Sequence, residues 1–370
     1  MRAAVRQAAG LCVMLLLAAP SAESQESRPR AREAGIRIGL MQPGPLNAIT
    51  DVAGVEVGHS TIVLGDSVRT GVTAVLPHPG NLYLDKVRGA VVVRNGFGKL
   101  VGLSQVNELG QIETPILLTG TLSVFRVADA LVDTLLVAEG MSDVRSINPV
   151  VGETNDGYLS DIRARPVQPE HVRAALRAAA PGPVEEGAVG AGTGTRALGW
   201  KGGIGTSSRQ LPESAGGYTV GALVQTNYGG ILTIAGVPVG RFVQADRPAP
   251  ASRDDRDGGS VMIVIATDAP LAHRELERLA ERAFAGIART GSWMSHGSGD
   301  YAIAFSTHRG PLDAPGGELL SRLFVATAEA VEEAVVNSLF LATTTVGYRG
   351  HRAEGLPIAE VLEVMERHAP

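Results

Sequence analysis

The chain has 370 residues and a formal net charge of −5, with 44% hydrophobic and 19% charged residues, enough for one large domain or two ordinary ones. It offers no basic field for nucleic acid and no long acidic tail. Aromatic residues make up only 4% against 46 glycines, so the core relies on Val, Leu, Ile and Ala with close backbone approaches.

In chain order, Arg2 and Arg6 precede the apolar run Leu11 to Ala19, and Pro20-Ser21-Ala22 follows with small residues. That order of charge, apolar run and small residues predicts a signal peptide over residues 1–22 and export to the periplasm or beyond. The alternative is a membrane anchor, but the run is shorter than the ~20 apolar residues a spanning helix needs. No later run of 18 apolar residues occurs, so no stable membrane insertion is expected once the signal is removed. Cys12, the one cysteine, lies inside this run and leaves the mature chain without a thiol. Disulfides, a cysteine nucleophile and cysteine-ligated zinc are thereby excluded. Residues 23–37 begin polar and charged and are expected to form a flexible mature N-terminus; residues 38–370 are read as a single domain.

Within that domain, β-rich apolar runs predict strands at Ala90 to Arg94, Tyr218 to Thr226, Ile231 to Val239, Val261 to Thr267 and Tyr301 to Thr307. Helices are predicted over Leu122 to Glu139, Pro270 to Arg289, Glu318 to Leu341 and Pro357 to Arg367. In the second, Leu276, Leu279, Ala283 and Ile287 form an apolar stripe, with Asp268 as the expected N-cap. Helices and strands mix without strict βαβ alternation, which reads as helix layers packed on sheet, α/β or α+β. Arg247 to Gly259, rich in Pro and charge, reads as an exposed loop ending where an apolar strand begins.

Common hydrolase signatures are absent. No serine sits in G-x-S-x-G, and no H-E-x-x-H occurs. The glycine-rich run Gly190 to Gly205 lacks G-K-[ST] and reads as a tight backbone pass or an active-site wall. His59 and His78 lie in turns without an i, i+4 partner, which argues against a metal site. A Ser–His–Asp arrangement of Ser298 with His308 is conceivable, though His308 also reads as a solvated turn residue.

Gly258-Gly259-Ser260 is more specific. Two glycines before a hydroxyl at a strand start allow the dihedrals with which a serine oxygen attacks its own preceding carbonyl. Cleavage there frees a serine with its own α-amine, whose reference pKa of about 7.7–8.0 suits general-base work. A strand-capping serine would look the same.

Five blocks extend the pattern: Asn148 to Tyr158, Gly187 to Arg209, Gly221 to Gly229, Asp257 to Val261 and His296 to Tyr301. Together and in this order they resemble the L-aminopeptidase/D-esterase (DmpA) and β-aminopeptidase (BapA) family of self-processing serine aminopeptidases, over about Ile38 to Val361. The resemblance implies an αββα sandwich cleaved between Gly259 and Ser260 into an α chain and a β chain. Ser260 would be the nucleophile, Ser298 and Asp300 would hold its amine, and Asn227 would donate to the oxyanion. Glu153 would pair with the substrate's free ammonium, and Asn155 would lie beside it in the substrate site. Asp300 is one methylene shorter than the family's Glu, and Asn155 replaces an aromatic residue of some members. Implied substrates are short peptides, amino-acid amides or esters, with no metal or cofactor, in a homo-oligomer of αβ units. Two other functions stay open. One is acyl transfer as in the ornithine acetyltransferases, which use threonine where this chain has Ser260; the other is an inactive exported binding protein.

Overall fold

A computed structural model of the chain describes residues 28–244, 258–312 and 316–368. The predicted signal peptide and the loop from Arg247 to residue 257 lie outside the described residues.

Two sheets carry the fold. The first has the order β1 (Glu56–Leu64), β2 (Val68–Leu76), β6 (Ile116–Gly120), β7 (Val150–Thr154) and β4 (Leu100–Val101). The second has the order β10 (Ile204–Gln210), β11 (Thr219–Asn227), β12 (Gly258–Thr267), β13 (Gly297–Ser306), β3 (Val87–Gly96) and β5 (Gln111–Ile112). β12 pairs antiparallel with β11 and parallel with β13. Two short hairpins join β8 (Arg196–Ala197) to β9 (Trp200–Lys201), and β14 (Thr345–Val346) to β15 (Arg352–Ala353).

The side-chain alternation of β12 defines the layers. Met262, Val264 and Ala266 enter a core with Leu118 and Val150 of the first sheet. Val261, Ile263 and Ile265 point the other way, among residues of α4 (His273–Arg289) and α5 (Gly317–Phe340). A strand buried on both faces reads as a continuous apolar run, which is why Val261 to Thr267 shows no polar alternation. The outer face of the first sheet, with Val72, Leu117 and Val151, is covered by α2 (Val124–Leu136) and α3 (Pro169–Ala178). The order is therefore helix, sheet, sheet, helix: the expected αββα sandwich. Two further helices, α1 (Leu103–Leu109) and α6 (Ile358–His368), complete the helices among the described residues.

The predicted helices form with shifted ends. α4 buries Leu276, Leu279, Ala283 and Ile287 as the stripe requires, but starts at His273 after Ala272, which makes no side-chain cap. Asp268 is not its N-cap, because its Oδ1 accepts the Thr219 N–H at 2.8 Å and ties the end of β12 to the start of β11. α2 starts at Val124, after a 3-10 turn over Thr121–Ser123. The predicted strand Ile231 to Val239 is absent. Ile231 and Thr233 donate to the carbonyls of Gly291 and Thr290, and the chain then turns between Ile234 and Val237 through Ala235 and Gly236. Both turn residues have positive φ, which breaks any continuous ladder.

Where polarity reads as a loose N-terminus, the segment from Arg28 packs onto the domain. Ala31 is fully buried, its N–H donates to Asn337 Oδ1, and the Arg32 guanidinium pairs with Glu333 at 2.8 Å. Its charges read as solvent-exposed because their partners lie some 300 residues away, on α5.

Candidate active site

β12 carries Ser260 near its start, on the face of Met262 and Val264. Ser260 is directly across from Asn227, the last residue of β11. Its side chain is nearly covered, at 3% exposed, and Oγ receives two N–H groups. One is the Asn227 side-chain Nδ2 at 3.4 Å; the other is the backbone N–H of Asn155 at 3.3 Å. The backbone N–H of Arg196 donates to Asn227 Oδ1 at 3.2 Å, which fixes the amide so that its N–H end faces Ser260. Asn155 thus reaches Ser260 through its main chain, while its side-chain Oδ1 accepts the Gly157 N–H at 2.9 Å.

Ser298 and Asp300 are together on one face of β13, in parallel register with Gly259 and Val261 of β12. Ser298 Oγ donates to Asp300 Oδ1 at 2.7 Å, and Asn95 Nδ2 donates to the other carboxylate oxygen at 3.3 Å. Burial pushes the Asp300 carboxyl above the ordinary carboxylate range, and the Ser298 and Asn95 hydrogen bonds draw it back. A β-carbon added to Gly259 would lie 3.3 Å from both Ser298 Oγ and the Tyr228 main chain. Ser298 therefore lies in register with Gly259, and Asp300 with Val261, on the face of the sheet opposite the Ser260 side chain.

Glu153, at the end of β7, is 2% exposed. Its Oε1 accepts both the backbone N–H of Lys99, at 3.0 Å, and the Lys99 ammonium, at 3.1 Å. Three residues on, Asp156 is buried, and its Oδ2 has no hydrogen-bond partner among the described residues. Burial lifts its carboxyl to about 6; a hydrogen bond from Thr70 opposes this and the nearby Glu153 adds to it.

The glycine-rich run is the close backbone pass that one reading of the sequence expected. A β-carbon on Gly203 would lie 1.9 Å from the Gly187 carbonyl oxygen, and one on Gly205 would lie 1.9 Å from that of Ala334. This run brings Arg196 to Asn227. Lys201, paired with Arg196 across the β8–β9 hairpin, buries its ammonium against the Gly192 and Gly202 carbonyls, and burial lowers its pKa to about 7.

The Ser298–His308 alternative does not assemble, because the two residues flank opposite ends of β13 and His308 Nε2 lies 3.3 Å from the Pro311 carbonyl. His59 lies within β1, not in a turn; it is paired with Thr73 Oγ1 on β2, and burial lowers its pKa to about 4. No group of three or more His, Cys, Asp or Glu with metal-site spacing occurs among the described residues. No described helix is long and apolar enough to cross a membrane. Sequence reading missed Asn95, Lys99 and the Arg196 N–H. Each acts through strand pairing or a loop crossing, which leaves no local signal.

The profile of peptidase family S58 matches residues 47–353. The β-peptidyl aminopeptidase BapA of Sphingosinicella microcystinivorans is 39% identical over 389 residues, covering 96% of this chain and 95% of that protein. A β-aminopeptidase from Burkholderia sp. is 43% identical, with a TM-score of 0.86 over 92% of this chain and 99% of its own. The L-aminopeptidase D-Ala-esterase/amidase of Ochrobactrum anthropi, described as a variant of the Ntn hydrolase fold, is 36% identical; its TM-score is 0.82 over 92% of this chain and 99% of its own. With the sandwich and the paired polar groups around Ser260, these matches establish that the chain belongs to peptidase family S58 and is a hydrolase acting on peptide bonds.

Proposed function

We propose that the protein is an exported serine aminopeptidase that cleaves its own Gly259–Ser260 bond and then works through the freed Ser260. In the first step Ser260 Oγ attacks the Gly259 carbonyl carbon. The C–N bond breaks, the nitrogen takes a proton, and an ester joins Gly259 to the serine oxygen. Water hydrolyses that ester, leaving a carboxylate on Gly259 and a free amine on Ser260.

In the second step the same oxygen attacks the carbonyl of a substrate's first residue. The Ser260 amine takes the hydroxyl proton and passes it to the leaving group, and water then releases the acyl-enzyme. The Ser298–Asp300 pair holds and polarises that amine. Asn227 and the Asn155 N–H supply hydrogen bonds to the developing oxyanion, a contribution typically of a few kcal/mol per donor. Glu153 takes the substrate ammonium, which excludes blocked N-termini.

The observation that carries this reading is the setting of one serine: two N–H donors lie on its oxygen, and Ser298, hydrogen-bonded to Asp300, stands in register with the glycine before it. Among the described residues, no histidine is hydrogen-bonded to Ser260, Ser298 or Asp300. Similarity to the β-peptidyl aminopeptidases supports short peptides as substrates, β-amino acid ones among them, and similarity to the L-aminopeptidase D-Ala-esterase/amidase supports amides and esters. Export rests on the charge and apolar pattern of residues 1–22, and a homo-oligomer of αβ units rests on the family resemblance.

The test is a mass measurement during turnover of an amino-acid ester. An acyl adduct is expected on the chain that begins at Ser260, and none on a Ser260→Ala variant. An adduct elsewhere, or turnover by the variant, would overturn the proposal.

A further inference from the structure

The carboxylate assigned to the substrate's ammonium already holds one. Lys99 Nζ lies 3.1 Å from Glu153 Oε1 and 2.6 Å from Thr121 Oγ1. The two ends of this ion pair differ sharply in exposure. The Lys99 side chain is 40% exposed, whereas the side chain of Glu153 is 3% exposed. The lysine reaches into the acid from the solvent side, on a flexible four-carbon stem that can swing back into water. When it leaves, Glu153 keeps a hydrogen bond, because the backbone N–H of Lys99 donates to the same oxygen at 3.0 Å. A substrate's α- or β-ammonium has the same chemistry as the lysine head: a compact –NH₃⁺ with three donors.

We propose that Lys99 is an exchangeable placeholder in the amine site, pairing with Glu153 while the site is empty and giving way to the substrate's own ammonium. It neutralises a buried carboxylate that would otherwise be costly to keep ionised. It also competes with every free-amine substrate, and so sets the affinity of the site without touching the reacting bond. The inference rests on the reading of Glu153 as the amine anchor.

The variants Lys99→Met and Lys99→Arg separate this role from a structural one. With a free-amine substrate at pH 8, Lys99→Met is expected to lower KM about fivefold, since the competent site no longer has to be vacated. Its kcat should stay within about twofold, because a binding competitor leaves the chemical step alone. Lys99→Arg, whose planar fork grips a carboxylate at two points, should raise KM. An unchanged or higher KM for Lys99→Met, or a collapse of its kcat, would overturn the proposal. Competitive inhibition by n-butylammonium tests the underlying reading separately. Its Ki should fall in Lys99→Met in step with KM, and inhibition should vanish in Glu153→Gln. If n-butylammonium inhibits Glu153→Gln as well as the wild type, Glu153 is not the anchor and both readings fail. If only the Lys99 variants behave otherwise, the anchor stands and the placeholder falls.

Discussion

Ser298 donates its hydroxyl hydrogen to Asp300, two residues further along the same strand, at 2.7 Å, with Ser298 in register with Gly259 of β12 and Asp300 with Val261. Two residues apart on a strand is one face, so the pair is built by local geometry and needs no loop to assemble it. Burial raises the Asp300 carboxyl above its ordinary range. Replacing Asp300 by Asn or Ser298 by Ala should lower kcat by about 10²-fold, the lower end of what positioned proton-transfer partners contribute. Loss of Asp300 ionisation at low pH should also cut activity at a higher pH than an ordinary aspartate would. A pH–rate profile checks this: the acid limb set by Asp300 should disappear in Asp300→Asn.

The two donors on Ser260 Oγ differ in kind, one being a side chain and the other main chain. Asn227→Ala removes its donor and should lower kcat by roughly 10²–10³-fold. Asn155→Ala keeps its N–H and gives up the hydrogen bond to Gly157, so kcat should remain within about threefold of wild type. Steady-state kinetics on both variants would contradict the assignment if Asn155→Ala proved the worse.

Stability should depend on a buried ionic cluster behind the second sheet. Arg209 of β10 is fully buried, with Nη2 at 2.7 Å from Glu333 and Nε at 3.2 Å from Glu329, both on α5. Arg209→Met leaves these carboxylates short of their main cation and should cost about 3–5 kcal/mol in urea unfolding. Arg322→Ala, which breaks an exposed i,i+4 pair with Glu318, should cost no more than about 0.5 kcal/mol.

Asp156 gives a pH signature. Its carboxyl is raised from 3.8 to about 6, so the native state binds more protons than the unfolded state across that window. The Asp156 contribution to stability is therefore full below pH 4 and is lost as pH rises through about 6, by up to about 3 kcal/mol. Asp156→Asn removes this titration. Thermal unfolding should show the variant gaining on wild type at pH 8 relative to pH 4, and an equal difference at both values would contradict the assignment.

Much of this was legible from residue patterns, for identifiable reasons. The apolar run Val261 to Thr267 reads as a strand, which the fold covers on both faces, and the spacing of Leu276, Leu279, Ala283 and Ile287 reads as the helix on it. Ser260, Ser298, Asp300, Asn227 and Glu153 were identified by family resemblance, and the fold brings Ser260, Ser298, Asp300 and Asn227 together around the end of β12. Ile231 to Val239 misled because Ile234, Val237 and Val239 are buried by a loop crossing beside Gly291, where the chain turns before a ladder can form. Asp268 misled because an acid before a helix can equally cap a neighbouring strand. Lys99 and Asn95 left no trace because their partners, Glu153 and Asp300, come from distant strands.

The most direct test of self-cleavage is intact mass and N-terminal sequencing of the purified protein beside its Ser260→Ala variant. Two chains are expected from the wild type, one beginning at Ser260, and a single uncleaved chain from the variant. A wild type that stays whole while hydrolysing peptides would contradict it.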